Sequence, residues 1–116
     1  MKPNDIFSRA ARLCGIGEEF LSENELTDVH ARALDAINTV LFDLEGREPI
    51  ESIGSQETVA EKTAEAAVYG VAMFLSLAFG DTDKSALFSD IYNQKRSAVK
   101  SNIASVVDAL PRTGAV

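Results

Sequence analysis

The chain has 116 residues, 46% of them hydrophobic, 25% charged and 7% aromatic, and 18 acidic residues against 11 Lys and Arg give a net charge of -7. This length predicts a single domain. We expect it to be helical and to cover residues 1–110, with an extended tail at residues 111–116. The acidic balance argues against bulk nucleic-acid binding, which needs clustered cations. Because the chain has one cysteine and a polar N-terminus without a signal-peptide pattern, we expect an intracellular protein.

Helical periodicity recurs along the whole chain, whereas the alternating pattern of strands is nearly absent. The pattern predicts an all-α antiparallel bundle of four or five helices joined by short connections. The helices are expected at about residues 4–14, 22–45, 56–79 and 83–101, the last with a possible continuation to residue 109.

The first two helices have clear signals at their ends. Asn4 or Asp5 is a suitable N-cap for the first helix, and Gly15 a suitable left-handed stop. Ser22 followed by Glu25 predicts a capping box at the start of the second helix, which continues until Gly46. We expect the linker at residues 15–21 to pack onto the core, because it contains three large apolar residues.

The third helix changes from polar to apolar along its length. Thr58 and Glu61 predict a second capping box, and residues 64–79 are apolar on nearly all sides, as in a helix covered by several neighbours. Gly70 predicts a close helix crossing, because glycine is otherwise unfavourable in a helix. The uncharged stretch at residues 66–80 is shorter than the roughly 20 residues that cross a bilayer, so no membrane span is expected.

The fourth helix follows a stop at Gly80. Asp81 or Asp83 is the expected N-cap. Ser101 and Asn102 interrupt the apolar pattern and predict a break in this helix.

Few residues form a pattern that suggests catalysis. His30 has no metal-ligating neighbour at helical spacing, and Cys14 lies on an apolar helix face, so neither indicates a metal site or a nucleophile. Glu57, Glu61 and Glu65 are spaced by four residues and leave open a Mg²⁺-dependent all-α nucleotide hydrolase. A solvated helix face explains the same spacing, and we expect a non-enzymatic protein without cofactor or metal.

The net charge is unevenly distributed along the chain. Residues 18–65 hold thirteen acids and three bases, a net charge of -10, whereas residues 1–17 have a net charge of +2 and residues 84–116 of +3. Complementary patches of this kind predict head-to-tail association, which closes into rings when the geometry permits. The expected contact residues near the basic end are Tyr92, Lys95, Arg96 and Lys100.

The second half of the chain resembles a family of phage proteins over residues 58–111. The resemblance is carried by residues 73–81 (MFLSLAFGD), 88–96 (FSDIYNQKR) and 108–111 (DALP). These phrases in a short acidic helical chain are similar to small head–tail connector, or head-completion, proteins of tailed phages and prophages.

The resemblance implies a structural protein of the virion or the bacterial host cytoplasm. Such a protein forms a homo-oligomeric ring, docks to portal and tail-completion proteins, and lets DNA pass as cargo without specific binding. A generic helical interaction module, which binds the helix of a partner, is the other non-enzymatic alternative.

Overall fold

The computed structural model describes the backbone of residues 1–108 and the side chains of residues 1–101. Four α-helices account for most of this part of the chain: α1 (Pro3–Leu13), α2 (Glu23–Glu45), α3 (Glu61–Ala78) and α4 (Thr82–Asp108). A short 3₁₀ turn covers Glu18–Phe20. Since no strand occurs within residues 1–108, the predicted all-α class is confirmed. The predicted tail at residues 111–116 lies outside the described residues.

Helix α3 is the centre of the bundle and packs against α1, α2 and α4. Its buried side chains are mostly alanine and valine, whose small size lets neighbouring helices approach closely. Helices α1 and α4 flank α3 on one side, and α2 and α4 flank it on another. Two open grooves therefore run along α3, one on each side of α4.

Gly70 lies at the point where α3 meets both α2 and α4. A Cβ atom at this position would lie 2.8 Å from Val40 Cγ2 and 2.9 Å from Tyr92 Cε1. Carbon atoms do not approach this closely without displacement, so the crossing needs a residue without a side chain. The close crossing predicted from Gly70 is confirmed.

The predicted capping of α2 and α4 is confirmed. Ser22 Oγ accepts a hydrogen bond from the Glu25 amide at 3.2 Å, and the Glu25 carboxylate accepts one from the Ser22 amide. The helix ends at Gly46, whose φ of 66° is left-handed. Asp81 accepts a hydrogen bond from the Lys84 amide at 3.0 Å and thereby caps α4.

The predicted start of α3 is wrong by about five residues. The helix begins at Glu61, after an N-cap residue, Ala60, that has no side-chain hydrogen bond. Val59 is fully buried, and its amide donates to the Met1 carbonyl at 2.8 Å. The Met1 amino group donates in turn to the Val59 carbonyl at 2.8 Å. Residues 55–60 are outside the helix, and the pairing of Val59 with the distant N-terminus accounts for the missing capping box of Thr58.

Three further expectations need correction. Helix α1 begins one residue earlier than predicted, at Pro3, and Lys2 is its N-cap. The linker at residues 15–21 packs only in part, because Phe20 is 86% exposed. Helix α4 has no break at Ser101 and Asn102, since both residue types cost well under 1 kcal/mol in a helix interior. It follows the predicted continuation instead and runs on to Asp108.

The core is one cluster of buried side chains from all four helices and the loop at residues 46–60. The loop is fixed to α2 by Asn38, whose side-chain amide donates to the Ile50 carbonyl and accepts from the Ile50 amide, at 3.0 and 2.7 Å. Ile50 itself is buried.

Among residues 1–108, we find no helix with an apolar stretch long enough to cross a bilayer.

Candidate protein-interaction surfaces

The four predicted contact residues of α4 are divided between the two grooves. Tyr92 and Arg96 are one helical turn apart and face α2, and Lys100 lines the groove on that side. Lys95 points to the other groove, between α1 and α4. A role of these residues in partner binding stays a prediction, but they do not form one continuous patch.

Asp43 of α2 joins Tyr92 and Arg96 in a compact polar cluster. The Tyr92 hydroxyl donates to Asp43 Oδ2 at 2.6 Å, while Arg96 donates through Nε to Oδ2 at 2.6 Å and through Nη2 to Oδ1 at 3.0 Å. The hydrogen bonds from Arg96 hold the pKa of Asp43 below its ordinary value. Burial, together with the bond to Asp43, raises the pKa of Tyr92 well above its ordinary value.

This cluster changes the expected role of two contact residues. Tyr92 is only 7% exposed, so its ring packs in the core and is not available as a surface anchor. Asp43 balances the charge of Arg96 through a bidentate ion pair, which is the strongest geometry for such a pair. Arg96 therefore ties α4 to α2 in the free chain.

The groove between α1 and α4 is a cationic cleft, formed by Arg9, Arg12, Glu65, Tyr69 and Lys95. Its volume is about 480 Å³, and its remaining walls are apolar. The Lys95 ammonium lies 5.4 Å from the centre of the Tyr69 ring, in cation–π contact. Within the described residues no acid lies within salt-bridge distance of Arg9, Arg12 or Lys95.

Sequence reasoning missed Arg9 and Arg12 as members of a site. They are three residues apart on α1 and so lie on the same helix face. The only signal in the sequence is the net charge of +2 in residues 1–17. The partner residues, Tyr69 and Lys95, are more than fifty positions away and come close only when α1 and α4 pack on α3.

The groove between α2 and α4 has both apolar and polar walls, and two exposed phenylalanines lie on it. Phe42 is 68% exposed and Phe74 is 38% exposed, and they line a groove of about 530 Å³ together with Met73. We call this surface the Phe42–Phe74 groove. Lys100 provides a cation at its edge.

The three glutamates of the hydrolase alternative do not share a helix face. Glu57 lies in the loop before α3, Glu61 is the first residue of α3, and Glu65 lines the cationic cleft. The expected row of carboxylates is therefore wrong in its first member. No group of three or more His, Cys, Asp or Glu is arranged to hold a metal ion within the part of the chain that the structure describes.

Cys14 and His30 are in different surroundings. The Cys14 thiol donates to the Ala72 carbonyl at 3.3 Å and lies 3.2 Å from the Ser76 hydroxyl, and burial raises its pKa. The His30 ring packs edge-on against Phe7, with 5.0 Å between the ring centres. Both residues contribute to packing, and no hydrogen bond joins them.

Comparison of the chain with protein-family models, characterised proteins and solved structures finds no match.

Proposed function

We propose that this chain is a non-enzymatic assembly protein that forms a ring and docks to other proteins, in the manner of small phage head–tail connectors. The proposal includes portal and tail-completion proteins as partners and DNA as cargo that passes without specific binding. It is supported by the surface of the molecule and by the resemblance of residues 58–111.

The observation that carries the proposal is the position of the phenylalanines. Four of the six phenylalanines are exposed, at Phe20, Phe42, Phe74 and Phe79, with exposed fractions from 38% to 86%. Aromatic side chains are enriched at protein interfaces, where their burial stabilises the complex. A chain of this size has ample core to bury them, so their exposure favours contact with other protein surfaces.

The exposed side chains lie on more than one side of the molecule. Phe42 and Phe74 line the groove between α2 and α4, while Phe20 and Phe79 line another groove near the end of α3. A subunit of a ring needs two surfaces for its neighbours and a third for its docking partners. We assign the Phe42–Phe74 groove to docking.

Sedimentation velocity and mass photometry, from nanomolar to high micromolar protein, test the assembly. We expect the chain to form a closed oligomer of one defined size as its concentration rises, because a ring has no unpaired interface. A single monomeric species at all concentrations would contradict the proposal. A ladder of open chains without a preferred size would also contradict it.

A double substitution, Phe42→Ser with Phe74→Ser, tests docking. We expect this variant to keep the oligomeric state of the parent chain and to lose at least about tenfold in affinity for a cognate portal protein. Leu87→Ser is the matched control, since Leu87 is 56% exposed and does not line the groove. A gene neighbourhood without portal or capsid genes would contradict the phage assignment.

A further inference from the structure

We propose that the cationic cleft receives an acidic segment around Phe20 from a second copy of this chain. This contact is one way to form the ring, so the inference rests on the proposed function. The segment comprises residues 18–25, and we call it the acidic Phe20 segment. The cleft and the segment match each other in charge, in apolar character and in accessibility.

The cleft offers both cations and apolar surface. Arg9 and Arg12 are exposed on one side, and Lys95 lies on the other. Leu13, which is 38% exposed, and the ring of Tyr69 give the cleft an apolar wall. With Glu65 included, its charged residues give a net charge of +2, in a chain whose total is -7.

The acidic Phe20 segment has the complementary properties. Phe20 is 86% exposed, more than any other large hydrophobic side chain among the described residues. The flanking acidic side chains are all exposed: Glu18, Glu19, Glu23 and Glu25. The segment contains no Lys or Arg, so it presents an aromatic ring surrounded by negative charge.

The segment does not fill a cleft in its own chain. Phe20 borders a groove with Cys14, Ile16 and Phe79, and it stays exposed there. That groove and the cationic cleft have no residue in common. Contact between two different surfaces of identical subunits is heterologous, and it generates rings when the rotation closes.

A nucleic acid is a weaker occupant for the cleft. Phosphate binding gains from many cations along a track, and the cleft has three. The net charge of -7 on the whole chain repels a long polyanion that extends beyond the cleft. A short segment with four carboxylates and one aromatic ring matches the three cations and the apolar wall more closely.

Single substitutions on each side test the contact by sedimentation. We expect Arg12→Glu and Phe20→Ser each to raise the dissociation constant of self-association by at least about tenfold, because each removes a central contact. Arg32→Glu is the control for the change in charge, since Arg32 is exposed on α2 and its ion pair with Asp28 is at the surface. Circular dichroism spectra equal to those of the parent chain confirm that the variants fold.

Mixing and charge exchange make the test specific. A cleft variant, Arg9→Glu with Arg12→Glu, keeps the acidic segment, whereas Phe20→Ser keeps the cleft. At a protein concentration just sufficient for assembly of the parent chain, we expect each variant alone to be mostly monomeric and an equal mixture to stop at a one-to-one dimer. Adding Glu18→Arg and Glu19→Arg to the cleft variant reverses the charge on both sides of the contact. This variant should therefore assemble with copies of itself.

The outcomes separate this inference from the proposed function. If the parent chain assembles but the cleft and Phe20 variants assemble equally well, the contact is overturned and the assembly proposal stands. If the parent chain is monomeric at all concentrations, both are overturned. If the cleft variant loses affinity for a fluorescent DNA oligonucleotide while its self-association is unchanged, the occupant of the cleft is nucleic acid, and the inference is wrong.

Discussion

At the scale of single residues, Arg96 shows how a tertiary contact changes the meaning of a charge. In the sequence, Arg96 is part of a basic group with Lys95 and Lys100. In the structure it is paired with Asp43, which is 53 positions away, and Lys95 faces a different groove. Neighbours in sequence on a helix point in different directions, so the charges of residues 95 and 96 act on different surfaces.

Substitution of Asp43 by Asn tests the polar cluster. Because the pKa of Asp43 is lowered in the folded chain, its charged form stabilises the fold at neutral pH, and this contribution is lost as the pH falls below about 4. We expect Asp43→Asn to reduce the free energy of unfolding by about 1 kcal/mol at pH 7, a value that allows for the partial exposure of the pair. Urea unfolding at pH 7 and at pH 3 measures the difference, which should shrink at the lower pH.

The control for this prediction is Asp28→Asn. Asp28 pairs with Arg32 on the surface of α2, where an ion pair contributes only a few tenths of a kcal/mol. A loss of stability in Asp43→Asn that is the same at both pH values would mean that packing, not charge, holds the cluster together.

At the scale of helices, the starts of α2 and α3 show which signals are local. The capping box of Ser22 and Glu25 satisfies two backbone amides within one turn, so the pattern suffices to predict it. The similar pattern at Thr58 and Glu61 does not form. Burial of Val59 and its hydrogen bonds to Met1 favour a non-helical backbone there, and the sequence around Thr58 contains no sign of that distant pairing.

The crossing of helices at Gly70 gives a sharp test of packing. Alanine at this position improves helix propensity by about 1 kcal/mol, but overpacking at a tight contact costs about 1–3 kcal/mol. The nearby groups are Val40 and the Tyr92 ring, and Asp43 holds that ring in place. We therefore expect Gly70→Ala to lower the free energy of unfolding by about 1–2 kcal/mol in urea denaturation.

A matched glycine provides the control. Gly54 lies in the loop before α3, and a Cβ atom there would be 3.7 Å from the nearest atom, Ser52 Oγ. Gly54→Ala should leave the stability unchanged or slightly raised, because it reduces the freedom of the unfolded chain. A stabilising effect of Gly70→Ala would contradict the tight crossing.

At the scale of the whole molecule, the charge pattern and the fold together produce separate surfaces. The acidic Phe20 segment follows α1 directly in sequence, yet the cleft takes its cations from both α1 and α4. Packing of these two helices on α3 is what gathers Arg9, Arg12 and Lys95 around Tyr69. The overall charge of -7 therefore conceals a positively charged cleft.

Salt dependence distinguishes a charged subunit contact from a purely apolar one. Screening shortens the range of charge interactions from about 10 Å at 0.1 M salt to about 3 Å at 1 M. We expect the dissociation constant of self-association to rise by about tenfold or more over this range, since the contact joins cations to carboxylates. Sedimentation velocity at increasing NaCl concentration measures this dissociation constant. Arg12→Glu, which reverses one charge of the cleft, is the comparison and should show a weaker dependence on salt. Association that strengthens with salt would contradict the charged contact.

The sequence by itself determined the helical class, the capping box of α2, the glycine stops and the close crossing at Gly70. Each of these depends on periodicity or on residues within a few positions of one another, so local physical chemistry is sufficient to predict it. Only the tertiary structure decided three further features: the late start of α3 at Glu61, the pairing of Arg96 with Asp43, and the cationic cleft. They join residues about fifty or more positions apart, and only the packing of α1, α2 and α4 on the central α3 brings those residues together.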